Sequence, residues 1–76
     1  MKNEINLLIG SYLKNARKNK KMTQQEVADA SGITLSKYRE IERGRKSLFF
    51  DDSIRISEAL GFSLMELSAY LDSKGK

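Results

Sequence analysis

The sequence contains no cysteine, no histidine and no proline. Without cysteine there is no disulfide framework and no thiolate metal ligand, and without histidine the common zinc sets are gone too. Pairing of a nucleophile with an imidazole base is excluded on the same ground. Carboxylates and lysines are present, but no glycine-rich phosphate loop accompanies them, so no enzyme, no metal site and no cofactor is expected. No apolar run approaches the roughly 18 residues of a membrane span. Residues 1–10 lack the basic start, apolar centre and cleavage site of an export signal. A cytoplasmic protein without membrane contact is the expectation.

The 76 residues allow one domain, spanning 1–76, without a linker. At this length folding hides only about 60% of the surface that the unfolded chain exposes, so stability must come from dense packing. The net charge is +4, and its distribution says more than its total. Between Gly10 and Lys46 ten bases face four acids, a balance of +6; from Asp51 onward three bases face five acids, a balance of −2. A basic front and an acidic back suit a molecule that turns one face to a polyanion.

With no proline and only five glycines, the breakers read as punctuation, and an all-α chain of five helices results. Ile5, Leu8, Ile9, Tyr12, Leu13 and Ala16 recur at one-face spacing, predicting a first helix over 4–19 with Asn3 as its cap. Thr23-Gln24-Gln25-Glu26 fits a capping box that opens a second helix at Gln24. Gly32 ends that helix by adopting the left-handed conformation. Thr34 caps a third over 35–43, stopped by Gly44. A fourth over 50–60 is expected to bury Phe50, Ile54 and Leu60, with Ile56 or Ser57 flanking, before Gly61. Ser63 and Glu66 form a second capping box for a fifth helix over 64–71. Residues 72–76 read as a frayed tail.

Two helices joined by a few residues cross steeply only where the facing side chains are small. Ala28 supplies this at the fifth position counted from Gln24, and Gly32 the turn at the ninth. Val27, Ile33, Tyr38 and Ile41 occupy the positions that must bury apolar surface. Together they predict a helix-turn-helix over 24–43.

The runs Met22-Thr23-Gln24-Gln25-Glu26-Val27-Ala28, Gly32-Ile33-Thr34, Ile41-Glu42-Arg43-Gly44-Arg45 and Ala59-Leu60-Gly61 resemble the phage-repressor, Cro-type (XRE-like) helix-turn-helix family. The resemblance implies a compact five-helix, lambda-repressor-like DNA-binding domain whose third helix enters the major groove of double-stranded DNA to control transcription. It implies that Gln24 binds a phosphate and braces the first residue of the recognition helix. It also implies that Arg17 and Glu42 form a largely buried ion pair.

Groove-facing positions fall at the start of the third helix and one turn on. They are Leu35, suited to a thymine methyl; Ser36, suited to several bases; Arg39, suited to a guanine edge or a phosphate; and Glu40, suited to a cytosine amino group. Glu40 has a second reading, in which it pairs with Lys37 or Arg39 and orients that cation. Gln24, Thr34, Lys37, Arg43, Arg45, Lys46 and Lys21 are the expected backbone contacts. The family usually has glutamine at the position of Leu35 and an aromatic at that of Lys37, so no operator sequence carries over.

A half-site of a few base pairs is too short to be selective, so a homodimer on a palindrome is expected. Phe49, Leu64, Met65, Tyr70 and Leu71 are the candidate dimer residues. For Phe49 two placements stand, on a partner subunit or folded into its own core. The functional expectation is a regulator of the phage, mobile-element or restriction-modification-controller type. The alternative is an antitoxin of the same fold with a protein partner.

Overall fold

The computed structural model describes residues 4–74, in the order α1 (Glu4–Asn19), α2 (Gln24–Ser31), α3 (Leu35–Glu42), α4 (Phe50–Leu60) and α5 (Leu64–Lys74). No strand occurs among the described residues, and no helix there is long and apolar enough to cross a membrane. Asn3 lies outside the described residues, so its expected role as a cap is not described.

Local hydrogen bonding sets most of the boundaries. Thr23 Oγ1 accepts from the Glu26 N–H at 3.0 Å while Glu26 Oε1 accepts from the Thr23 N–H at 2.8 Å. The same reciprocal pair joins Ser63 and Glu66 at 3.1 and 2.9 Å. At the end of α2, Gly32 takes φ 71°. Its N–H reaches the Asp29 carbonyl at 3.3 Å, and that of Ile33 reaches Ala28 at 3.1 Å. This double bond pattern is a Schellman stop, which a residue with a Cβ would strain.

The core gathers Leu13 of α1, Val27 and Ala28 of α2, Tyr38 and Ile41 of α3, and Ile56 and Leu60 of α4. α2 packs on α3 and α4, and α1 on α3 and α5. Where α1 crosses the end of α3, Gly10 lies buried against the carbonyls of Ile41 and Glu42. A Cβ on Gly10 would run into the Glu42 carbonyl and stand 2.9 Å from that of Ile41. Backbone meets backbone at this crossing, which sets the height of the recognition helix on α1.

Three expectations are corrected. Ile5 is exposed rather than part of the buried face of α1. In α4 the inward face is Asp52, Ser53, Ile56, Ser57 and Leu60, whereas Phe50 is 73% exposed and Ile54 also faces outward. Polar residues can occupy that face because Ser53 and Ser57 donate to the carbonyls of Phe50 and Ile54 at 2.6 and 2.8 Å. Asp52 is held by two cations. Finally, α5 continues to Lys74 rather than fraying after Leu71. Ser73 Oγ donates to the Tyr70 carbonyl at 3.1 Å, and Lys74 Nζ lies 5.9 Å from the Tyr70 ring centroid.

Candidate nucleic-acid interface

Tyr38 and Ile41 anchor α3 in the core, so its opposite face points outward with Ser36 and Arg39 exposed and Leu35 and Glu40 half-buried. Thr34 Oγ1 caps the helix, accepting the Lys37 N–H at 3.1 Å. The N-terminus of α3 is thereby presented to solvent with its first turn ordered.

A chain of hydrogen bonds runs from α1 to this outer face. Arg17 grips Glu42 with both ends of its guanidinium fork, Nε to Oε2 at 2.7 Å and Nη2 to Oε1 at 3.1 Å, and its Nη1 donates to the Met22 carbonyl at 3.0 Å. The two side chains are 12% and 4% exposed. Gln24 Nε2 donates to Glu42 Oε1 at 2.9 Å. A carboxylate can only accept, so it takes the amide's NH2 end and leaves the Gln24 oxygen facing away. That oxygen receives Arg39 Nε at 3.3 Å. With Nε committed, the two Nη groups of Arg39 remain, and these are the donors that match the O6 and N7 of a guanine. Gln24 therefore braces Arg39, not the first recognition-helix residue Leu35 as the resemblance implied. The exchange follows from chemistry, since leucine offers the amide no partner.

Burial of Glu42 alone would raise its pKa. Hydrogen bonds to the ionised form, Arg17's foremost, outweigh burial and leave the carboxyl below its ordinary value. The bond to Glu42 raises Arg17 in turn. Beside them the Tyr38 hydroxyl is buried against the pair, and burial, followed by the neighbouring Glu42 carboxylate, pushes its phenol upward.

The remaining cations divide into two groups. Arg43, Arg45, Lys46 and Lys21 are exposed. Lys37 is not free: its Nζ lies 2.7 Å from Asp52 Oδ2. That bond, more than any other contact, holds the Asp52 carboxyl below its ordinary value. Glu40 pairs with Arg43 at 3.5 Å and Arg45 at 3.9 Å, not with Lys37 or Arg39 as expected. The turn after α3 explains this, because the N–H groups of Arg45 and Lys46 fold back onto the Glu40 carbonyl at 2.9 and 3.3 Å. Sequence reasoning missed Asp52 and Gly10. An acid in the first turn of a helix and a glycine on an apolar face were the only signals, and neither names a partner.

At the start of α4 and on α5, Phe49 and Met65 are 64% and 83% exposed. Phe49 thus lies outside its own core, where it occupies the N-cap position of α4 without a side-chain cap. Leu64 and Leu71 line a groove of about 380 Å³ with Ile9, Leu48 and Phe50. Tyr70 is instead engaged within the chain, its ring centroid 5.1 Å from that of Tyr12, which also meets Phe62 edge-on at 5.1 Å.

Five helices, a glycine turn of this geometry and an outward recognition helix define a DNA-binding helix-turn-helix domain of the lambda-repressor-like fold. The chain matches the helix-turn-helix family over residues 13–67 and belongs to it, in its XRE-like form. It is 44% identical over 57 residues to YqaE, an uncharacterized HTH-type transcriptional regulator of Bacillus subtilis (strain 168), covering 75% of this chain and 49% of that protein. This chain therefore spans about half the length of that relative. A second regulator of this type, y4dJ of Sinorhizobium fredii, is 35% identical over 60 residues, covering 79% of this chain and 78% of its own. Among solved structures, the clp gene regulator ClgR from C. glutamicum superposes with a TM-score of 0.83 at 28% identity, over 91% of this chain and 90% of that one. The restriction-modification controller protein C.AhdI from Aeromonas hydrophila does so with a TM-score of 0.78 at 26% identity, over 82% and 94%.

Proposed function

We propose that the protein is a sequence-specific transcriptional regulator that binds a palindromic operator as a homodimer, in the manner of a phage or mobile-element repressor or a restriction-modification controller. The observation that carries this reading is Arg39, held through Gln24 on the buried Arg17–Glu42 pair, its outer donors unpaired among the described residues. A long cation fixed in place before DNA arrives loses little freedom on binding, which favours base reading over diffuse attraction. Leu35, Ser36 and Arg39 read bases in this scheme, and Glu40 either accepts from a cytosine or orients Arg43 and Arg45.

Backbone contact falls to Gln24, Thr34, Lys21, Arg43, Arg45 and Lys46. If about six cations of the dimer meet phosphate, log K falls with log salt at a slope near −5. Dimerisation is assigned to the apolar residues at the start of α4 and on α5, where Phe49, Met65, Leu64 and Leu71 offer surface that the described residues leave uncovered.

Selection of bound duplexes from a random pool tests the proposal. The expected product is a palindrome whose half-sites lie about one helical turn apart. Recovery of an unrelated mixture, or of single half-sites together with a monomer by sedimentation, would overturn it.

A further inference from the structure

Lys37 sits next to Ser36 on the recognition helix, where a cation ought to meet a phosphate. Its ammonium lies instead 2.7 Å from Asp52, whose side chain is only 3% exposed. Asp52 is fixed from three directions. It stands in the first turn of α4, where unpaired N–H groups favour an anion. Its Oδ1 takes Arg55 at 3.2 Å, and its Oδ2 takes Lys37. If Lys37 turned to DNA, a buried carboxylate would lose its shorter partner and keep one that is itself half exposed. A rim contact to a solvated phosphate returns less than that loss. The bridge also fills a gap in the fold, because α3 packs mainly on α1 and α2 and touches α4 little.

We propose that Asp52 is a positioning residue that withholds Lys37 from the DNA backbone, so that this cation ties the recognition helix to α4 and releases no counterions on binding. The assignment rests on the DNA-binding reading above. It reverses the expectation that Lys37 is a backbone contact. It also gives Asp52 a role in specificity, because a phosphate contact strengthens binding to every sequence alike. Keeping one cation off the backbone holds down non-specific affinity while the base-reading set is unchanged.

The experiment measures log K against log salt on two duplexes of equal length, one carrying the selected site and one scrambled. The proteins are the natural chain, Lys37→Ala, Asp52→Asn and the double variant, each checked by circular dichroism. Lys37→Ala is expected to leave the slope unchanged. Asp52→Asn is expected to steepen it by about 0.9 per subunit, one extra phosphate contact, to tighten binding to the scrambled duplex, and to lower the ratio of specific to non-specific affinity. These changes should vanish in the double variant, since Lys37 makes the new contact.

The proposal is overturned if Lys37→Ala flattens the slope by about 0.9 per subunit, or if the Asp52→Asn effect persists in the double variant, where only net charge would explain it. Should Asp52→Asn fail to fold, the Lys37→Ala slope decides alone. A natural chain that binds neither duplex overturns the DNA-binding reading itself, and this assignment with it.

Discussion

The α2–α3 unit and the exposed apolar residues at the start of α4 and on α5 are built on different terms. On the first, each helix begins on a capping side chain and the polar groups of Arg17, Glu42, Gln24 and Arg39 are joined in one network. On the second, α4 starts at Phe49 with no side-chain cap, and Phe49, Phe50 and Met65 face solvent, Phe50 at an open apolar groove. Directional bonds hold the first side to one arrangement before any partner arrives. The second has apolar surface that its own core does not cover, the surface to which the dimer contact is assigned above. An ordered polar network and an uncovered apolar surface thus stand on one small chain, and the Lys37–Asp52 bridge joins them.

The sharpest way to break the first side is Arg17→Ala. It leaves Glu42 buried with only Gln24 to satisfy it, a loss of about 3 kcal/mol or more. For a chain of this size that is a fall in melting midpoint of about 12 °C or more. DNA binding should disappear through unfolding, and an unchanged thermal midpoint would refute the structural role. Next in size is a paired test of α4: Ile56→Ala should cost about 2–4 kcal/mol and Phe50→Ala less than about 1. Equal losses in urea titration would mean that the helix buries the face expected from its sequence instead.

Gly10→Ala should destabilise by about 1–3 kcal/mol through the forced separation of α1 and α3. It should also weaken DNA binding beyond the fraction unfolded, since α3 is displaced as a unit; a variant matching the natural chain in both measurements would show that the crossing is loose. On the second side Phe49→Ser supplies the missing cap, and at low protein concentration it should stabilise by about 1 kcal/mol. If Phe49 belongs to the dimer surface, the same variant should associate more weakly by sedimentation.

Glu42 and Asp52 both have lowered carboxyl pKa values in the folded chain, so the unfolded state binds more protons in the window below about 4. Their contribution is fully present above that range and is lost as pH falls through the folded values. Urea midpoints that stay flat from pH 5 to the acid limb would contradict it.

The capping boxes at Thr23 and Ser63, the left-handed stop at Gly32 and the inward set of Val27, Ala28, Tyr38 and Ile41 were all legible in the chain, because each depends on groups within a few residues of one another. The Arg17–Glu42 pairing was legible only through resemblance. The intramolecular partners of Lys37 and Gln24 were not legible, because Asp52 and Arg39 come within reach only after the helices have packed together, and the turn after α3 adds Arg45 to the local Glu40–Arg43 pair. The inward face of α4 failed for a related reason. Phe50 and Ile54 outrank Ser53 and Ser57 in hydropathy, yet both serines satisfy their hydroxyls within the helix and so can be buried.

Sequence alone therefore determined the helices, their ends and the turn that makes the reading unit, since covalent spacing brings those hydrogen-bonding groups together in any compact arrangement. The tertiary structure alone decided which cation is braced by Gln24, which is tied to α4, and which apolar residues stay outside. The two cation choices depend on the distance between side chains 15 residues apart, Arg39–Gln24 and Lys37–Asp52. Only the packing of α1, α2 and α4 around α3 sets that distance.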